Sequence, residues 1–187
     1  IGIDAKSGRQ LWTYNRVANG VANIPTPIVD GNFVFASTSY KTGAGLVELK
    51  KDGDKIVAEE KYFLEGQVFN NHHGGMILHE GHIYAGHQQN EGFPTCVRMQ
   101  SGEIVWGGRL RGPGSGSAAI LFIDGHLIFR YQNGIVALIE ATSTEYRLKG
   151  SFKPDYQEGA SWAHPVVVNG KLYLREQNKL MCYQVGP

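Results

Sequence analysis

Two short patterns recur along this 187-residue chain at a spacing of roughly 45 residues, and a recurrence of that kind decides the fold before any single motif can. The first pattern is a strand, a Ser-Gly turn and a strand carrying Trp. Ile3-Asp4-Ala5-Lys6-Ser7-Gly8-Arg9-Gln10-Leu11-Trp12 matches Val97-Arg98-Met99-Gln100-Ser101-Gly102-Glu103-Ile104-Val105-Trp106. The two tryptophans stand 94 residues apart, twice 47, so a copy is expected halfway between them. It falls at Val47 to Ala58, with Ala58 at the Trp position, and a more eroded fourth copy runs from Val136 through Thr142-Ser143-Thr144 to Leu148. The second pattern is an apolar strand, an acidic-Gly or Asn-Gly turn, and a second strand. Its turns are Asp30-Gly31, Glu80-Gly81, Asp124-Gly125 and Asn169-Gly170.

Such dipeptides suit tight hairpins, because Gly adopts positive φ without steric cost. Each repeat thus holds about four short strands, one antiparallel meander. A lone meander leaves an apolar face bare, so copies stack face to face around an axis, which predicts an all-β propeller of four four-stranded blades. The 25 glycines and 20 aromatics agree with this, and no stretch holds an apolar 3.6-residue period. The approximate repeats are 1–44, 45–95, 96–134 and 135–187, circularly permuted at the termini. Trp12 and Trp106 are read as inter-blade packing groups, and a neighbour is expected to supply the volume missing at Ala58.

Eighteen basic against seventeen acidic residues give a net charge of +1, which offers no electrostatic footing for nucleic acid or an anionic membrane. The longest apolar runs, such as Ala118 to Ile123, are too short to span a bilayer. The first residues contain no initiator Met and no signal core, so the amino terminus reads as cut and any targeting information as lying upstream. Cys96 and Cys182 are too few for a disulfide framework.

The pattern Asp-Ala-Lys-Ser-Gly-Arg-Gln-Leu-Trp, combined with hairpins such as Val166-Val167-Val168-Asn169-Gly170-Lys171-Leu172-Tyr173, resembles the pyrroloquinoline-quinone-like repeat. That repeat is found in quinoprotein alcohol dehydrogenases and in the outer-membrane assembly lipoprotein. The resemblance implies a ring of seven or eight blades, of which this chain supplies four. Both ends fall at the same strand of the repeat, so the segment reads as half of an eight-bladed ring, with two alternatives: a closed four-bladed ring, or a ring completed by a second copy. The resemblance also implies a location in the bacterial periplasm or outside the cell. In its oxidoreductase members a quinone (PQQ) lies between a Trp and a disulfide of adjacent cysteines, calcium is held by Glu, Asn and Asp, and an Asp acts as base. This chain has no adjacent cysteine pair, and Cys96 and Cys182 occupy matching positions of different repeats. No cofactor, metal or catalytic group is therefore assigned to this segment, and the favoured function is a binding or scaffold module. The alternative is part of a PQQ-dependent alcohol dehydrogenase-like oxidoreductase, with calcium and PQQ held elsewhere.

Histidine is the one concentrated anomaly: His72, His73, His79, His82 and His87 fall within one repeat. The Asn70-Asn71-His72-His73 stretch leads into the innermost strand of its blade, and Ser161-Trp162-Ala163-His164 is the matching stretch of the last. His72, His73, Trp162 and His164 are the expected rim for a small molecule or a peptide at the propeller face. Adjacent residues of an extended strand point oppositely, so only one of His72 and His73 is expected to face a given site, and no metal is expected. His79, His82 and His126 flank hairpins and are read as solvated. A matched set follows each second hairpin strand: Arg130-Tyr131-Gln132-Asn133, Arg175-Glu176-Gln177-Asn178 and, more loosely, Gln88-Gln89-Asn90. Arg130 and Arg175 either pair with a carboxylate of the next blade or bind an anionic group near the axis. The Gly112-Pro113-Gly114-Ser115-Gly116-Ser117 stretch precedes a strand rather than a helix and is read as a connection between blades.

Overall fold

The computed structural model describes residues 1–186, and these form seventeen strands and no helix. Three four-stranded antiparallel meanders follow one another. Blade 1 comprises β3 (Ile28–Asp30), β4 (Phe33–Thr38), β5 (Gly43–Asp52) and β6 (Lys55–Glu65). Blade 2 comprises β7 (Asn71–His79), β8 (His82–His87), β9 (Phe93–Arg98) and β10 (Ile104–Trp106). Blade 3 comprises β11 (Ala118–Ile123), β12 (His126–Tyr131), β13 (Val136–Glu140) and β14 (Leu148–Phe152). Blade 4 has three strands, β15 (Val166–Val168), β16 (Lys171–Glu176) and β17 (Lys179–Gln184), and a two-stranded sheet of β1 (Gly2–Ile3) and β2 (Gln10–Trp12) precedes blade 1. The repeat limits 1–44, 45–95, 96–134 and 135–187 are out of phase with these sheets, since each cuts a meander near the start of its third strand.

Three of the first hairpins turn as their dipeptides require. Glu80-Gly81, Asp124-Gly125 and Asn169-Gly170 all have positive φ at both central residues, the type I′ signature. In blade 1 the register pairs Asp30 with Phe33, so the two-residue loop is Gly31-Asn32 and only Gly31, at its first position, has positive φ. Aligning the turn glycines therefore misplaces blade 1 by one residue.

The blades pack face to face. Phe35 and Leu46 of blade 1 bury against Ile83, Ala85 and Val97 of blade 2. Tyr84, Cys96 and Trp106 of blade 2 meet Leu127, Phe129 and Ile139 of blade 3, and Ile128 and Val136 of blade 3 meet Leu172 and Leu174 of blade 4. Alternate side chains of each second strand thus serve the two neighbouring junctions, as the pleat dictates.

Paired strands also correct the Trp register. Trp106 lies opposite Cys96, and the residue at the same place in blade 1, opposite Leu46, is Tyr62 rather than Ala58. Asp52-Gly53-Asp54 sits in a longer hairpin: 16 residues separate Leu46 from Tyr62 where 10 separate Cys96 from Trp106. No neighbour has to fill a gap at Ala58. Tyr62 donates its hydroxyl to the Met99 carbonyl at 2.6 Å, as the Trp106 indole N–H does to the Thr142 carbonyl at 2.8 Å. In blade 3 the place opposite Leu138 belongs to Gly150, not to Leu148.

Candidate functional site

The first strands of the blades lie innermost, with β7 against β11 and β3 against β7. The approach of β7 to β11 is possible only because residue 74 is glycine: a Cβ there would overlap the Ala118 carbonyl oxygen. Around Gly74 the β7 to β8 register jumps from Asn71↔His87 to Met76↔Ala85, a bulge that spans both histidines. Buried Asn70 and Asn71 hold its start. The Asn70 carboxamide accepts the Ser39 hydroxyl and donates to the Gly66 carbonyl, and the Asn71 N–H donates to the Ser37 hydroxyl.

The bulge overturns the expectation that His72 and His73 face opposite ways. Their rings lie side by side, 4.5 Å apart between centroids. His72 hydrogen-bonds hydroxyls through both nitrogens, Nδ1 to Ser117 at 2.8 Å and Nε2 to Tyr40 at 3.1 Å. His73 turns toward Trp162, whose ring is 5.1 Å away in an edge-on arrangement. The His73 Nε2 is buried and has no hydrogen-bond partner. Trp162 is 56% exposed and donates its indole N–H to the Gln132 side chain at 3.0 Å. His164 lies over the bulge, its Cε1 3.1 Å from where a Gly75 Cβ would stand. Side chains from blade 2 and from the segment before blade 4 thus meet across the inner strand of blade 3.

Desolvation, with His72 and His164 nearby, pushes His73 down to about 4, so it is neutral at physiological pH. His72 is also lowered by burial. His87 is fully buried, stacks on Phe69 at 5.6 Å and accepts the Asn70 N–H on Nδ1, which makes it a core residue. His79, His82 and His126 are half-buried rather than solvated. His79 packs on Phe122 of blade 3 at 4.4 Å, while His82 and His126 hydrogen-bond the carbonyls of Glu80 and Asp124.

Of the two alternatives for Arg130, the structure takes the inter-blade ion pair. Its side chain is 0% exposed, its Nη2 donates to Glu176 at 2.8 Å, and its Nη1 donates to the carbonyls of Arg175 and Ala163. Arg130 is therefore no anion ligand at the rim. Glu176 also accepts the Ser161 hydroxyl and the N–H groups of Gly159 and Glu158. Burial opposes the Glu176 charge, but these hydrogen bonds and Arg130 outweigh it and keep the carboxyl below the usual range. The network pins the segment bearing Trp162 and His164. The signal for it was present in the sequence, since Glu176 adjoins the matched Arg175, but nothing there joined Glu176 to Arg130. Arg175 is exposed and lines a shallow groove of about 600 Å3 with Trp162, Gln177 and Asn178. Gln88, Gln89 and Asn90 line another groove with Gln67 and Asn70, and Gln132 and Asn133 a third with Ser115 and Gln157.

Among the described residues no group of three or more His, Cys, Asp or Glu side chains is placed to hold a metal ion. Cys96 is buried between blades 2 and 3, its thiol pushed up to about 11 by desolvation, and Cys182 is exposed on blade 4. Both pair with the same position of their second strands, Tyr84 and Tyr173. Neither cysteine has an adjacent partner with which to form the clamp of a quinone site.

Successive meanders packed face to face, with inner strands converging on a polar rim, define a segment of a β-propeller. The sequence model of the outer membrane protein assembly factor BamB family matches residues 1–146, and the chain belongs to that family of pyrroloquinoline-quinone-like propellers. The crystal structure of BamB from Moraxella catarrhalis is similar with a TM-score of 0.56 at 14% identity, over 84% of this chain and 41% of that one. The chain therefore spans less than half the length of that BamB. The crystal structure of the computationally designed Ika4 protein aligns with a TM-score of 0.60 at 11% identity, over 96% of this chain and 99% of that one. At these identities the likeness concerns the fold alone. The comparison with curated proteins finds no match.

Replacing Arg130 by Leu leaves Glu176 charged and buried without its partner, and is expected to cost about 3–5 kcal/mol in denaturant unfolding; Arg130→Leu with Glu176→Leu recovers most of that loss. The folded-state value of His73 lies below its ordinary one, so the unfolded chain binds more protons and stability falls as pH drops from about 6.5 toward 4. In His73→Phe the slope of unfolding free energy against pH over that window is expected to be shallower.

Proposed function

We propose that this chain is a binding module of a propeller, and that His72, His73, Trp162 and His164 with the flanking amide grooves form the face that receives its partner. The observation that carries this reading is the meeting of His73 and Trp162 across blade 3, with an unpartnered imidazole nitrogen beside an exposed indole. The partner that fits this face is an extended polypeptide. Neutral amide donors and acceptors from Gln88, Gln89, Asn90, Gln132, Asn133, Gln177 and Asn178 match a backbone better than they match an ion, and Trp162 offers a surface for an apolar side chain. The description of the family as an outer membrane protein assembly factor supports a protein as partner and the bacterial periplasm or cell exterior as its place. No helix among the described residues is long and apolar enough to cross a membrane.

The ring is completed by further blades, from the same chain or from a second copy. Blade 4 presents Val166, Val168 and Cys182 to solvent, together with Leu180, which is 67% exposed. By strand pairing Cys182 occupies the place of Cys96, and Leu180 the place of Val136, both of which are buried at their own junctions. At the opposite end Val29 is exposed beside a groove lined by Trp12, Val34 and Val47.

Synthetic peptides of alternating apolar and polar residues, titrated into the chain by isothermal calorimetry, test the rim. Saturable change is expected in the wild type and is absent in His73→Ala/Trp162→Ala, with circular dichroism unchanged; a wild type that does not bind, or a double variant that binds equally, overturns the reading. Sedimentation equilibrium tests closure by a second copy: a species of twice the chain mass is expected, reduced to monomer by Leu180→Asp. A wild type that stays monomeric leaves only completion within one longer chain.

A further inference from the structure

Two blade junctions are closed by an aromatic side chain of the fourth strand that donates to a backbone carbonyl of the following blade: Tyr62 to Met99 and Trp106 to Thr142. The third junction lacks this group, because the place opposite Leu138 is Gly150. A cleft of about 430 Å3 opens there between blades 3 and 4, lined by Ile128, Leu138, Phe152, Val167, Leu172 and Val185. That volume falls within the roughly 300–1,000 Å3 of ordinary small-molecule sites.

The cleft keeps the walls of the slot that it replaces. Ile128 pairs with Leu138 as Tyr84 pairs with Cys96 beside Trp106. Leu172 stands where Leu127 stands one blade earlier, each being the second residue after its hairpin loop. The Val185 N–H bonds the Gly170 carbonyl as the Ala141 N–H bonds that of Gly125, which sets Val185-Gly186 at the place of Ala141-Thr142, whose Thr142 carbonyl accepts the Trp106 indole. The Phe152 ring, edge-on to Tyr183 at 5.3 Å, adds an aromatic wall. A Cβ on Gly150 would meet nothing within 4 Å, and its backbone is outside the left-handed region, so the space is open from the strand itself.

We propose that this cleft is a binding site for a planar aromatic molecule carrying an N–H donor, with indole as its ligand class. The ring enters where a tryptophan side chain would lie, its plane between the aliphatic walls and its N–H toward the Val185-Gly186 backbone. This site lies between strands at the outer part of the junction, apart from the histidine rim, and stands or falls independently of it.

Indole titrated into the isotope-labelled chain and followed by nuclear magnetic resonance tests the assignment. Saturable shifts confined to Gly150, Phe152, Val167, Leu172 and Val185 are expected, with 1-methylindole, which lacks the donor, binding several-fold more weakly. Gly150→Trp fills the cleft from within: indole shifts disappear and the unfolding midpoint rises by about 2–4 °C. Absence of saturable shifts in the wild type, or indole binding of equal strength in Gly150→Trp, overturns the proposal. Equal affinity for 1-methylindole overturns the indole assignment, and Gly150→Leu, which fills the cleft without a ring, repeats the competition should the Trp variant not fold.

Discussion

Blades 2 and 3 each lie between neighbours that cover both of their faces, and the packing of the whole chain rests on this mutual covering. A four-stranded meander has two sides, and alternate residues of its second strand serve them in turn: Leu127 and Phe129 toward blade 2, Ile128 toward blade 4. The apolar area removed from water at these faces is the driving term, and neither face can be bared without exposing a continuous apolar surface. The hydrogen bonds of Tyr62 and Trp106 tie blade 1 to blade 2 and blade 2 to blade 3. With the blades so tied, the innermost strands converge, and Gly74 is the point where convergence brings backbone onto backbone.

Convergence explains how residues some ninety positions apart make one site. His73 and Trp162 belong to different blades and touch because the inner strands are where the wedge is narrowest. The Arg130-Glu176 pair then fixes the connecting segment from behind, a buried charge pair whose orientation depends on Ser161 and on two backbone N–H groups as much as on Coulomb attraction. What the rim offers to solvent is an indole and a run of carboxamides over a neutral imidazole floor. In the proposed role, recognition there would rest on hydrogen-bond geometry and stacking.

The propeller was legible in the sequence because hairpin dipeptides act locally: Glu80-Gly81, Asp124-Gly125 and Asn169-Gly170 needed no tertiary information. Spacing failed where a hairpin changed length. Counting 47 residues from Trp12 arrives at position 59, beside Ala58, but the longer β5 to β6 hairpin moves the inter-blade aromatic to Tyr62, and a phenol does the work of an indole. The grouping of His72, His73, Trp162 and His164 was suggested by matching repeat positions, whereas the side-by-side placing of the two histidines was not, because the bulge that produces it depends on Gly74 meeting β11. Arg130 was legible only as a choice between two partners, which Glu176 decides from the next blade.

The matched cysteines carry a practical consequence. Cys96 and Cys182 occupy one position of the repeat, yet the first is sealed between blades with its thiol held protonated, and the second lies open on blade 4. The chain therefore carries a single accessible sulfhydryl, on the face where another blade would dock. Its rate of alkylation is a direct chemical gauge of whether that face is covered, readable without any engineered label.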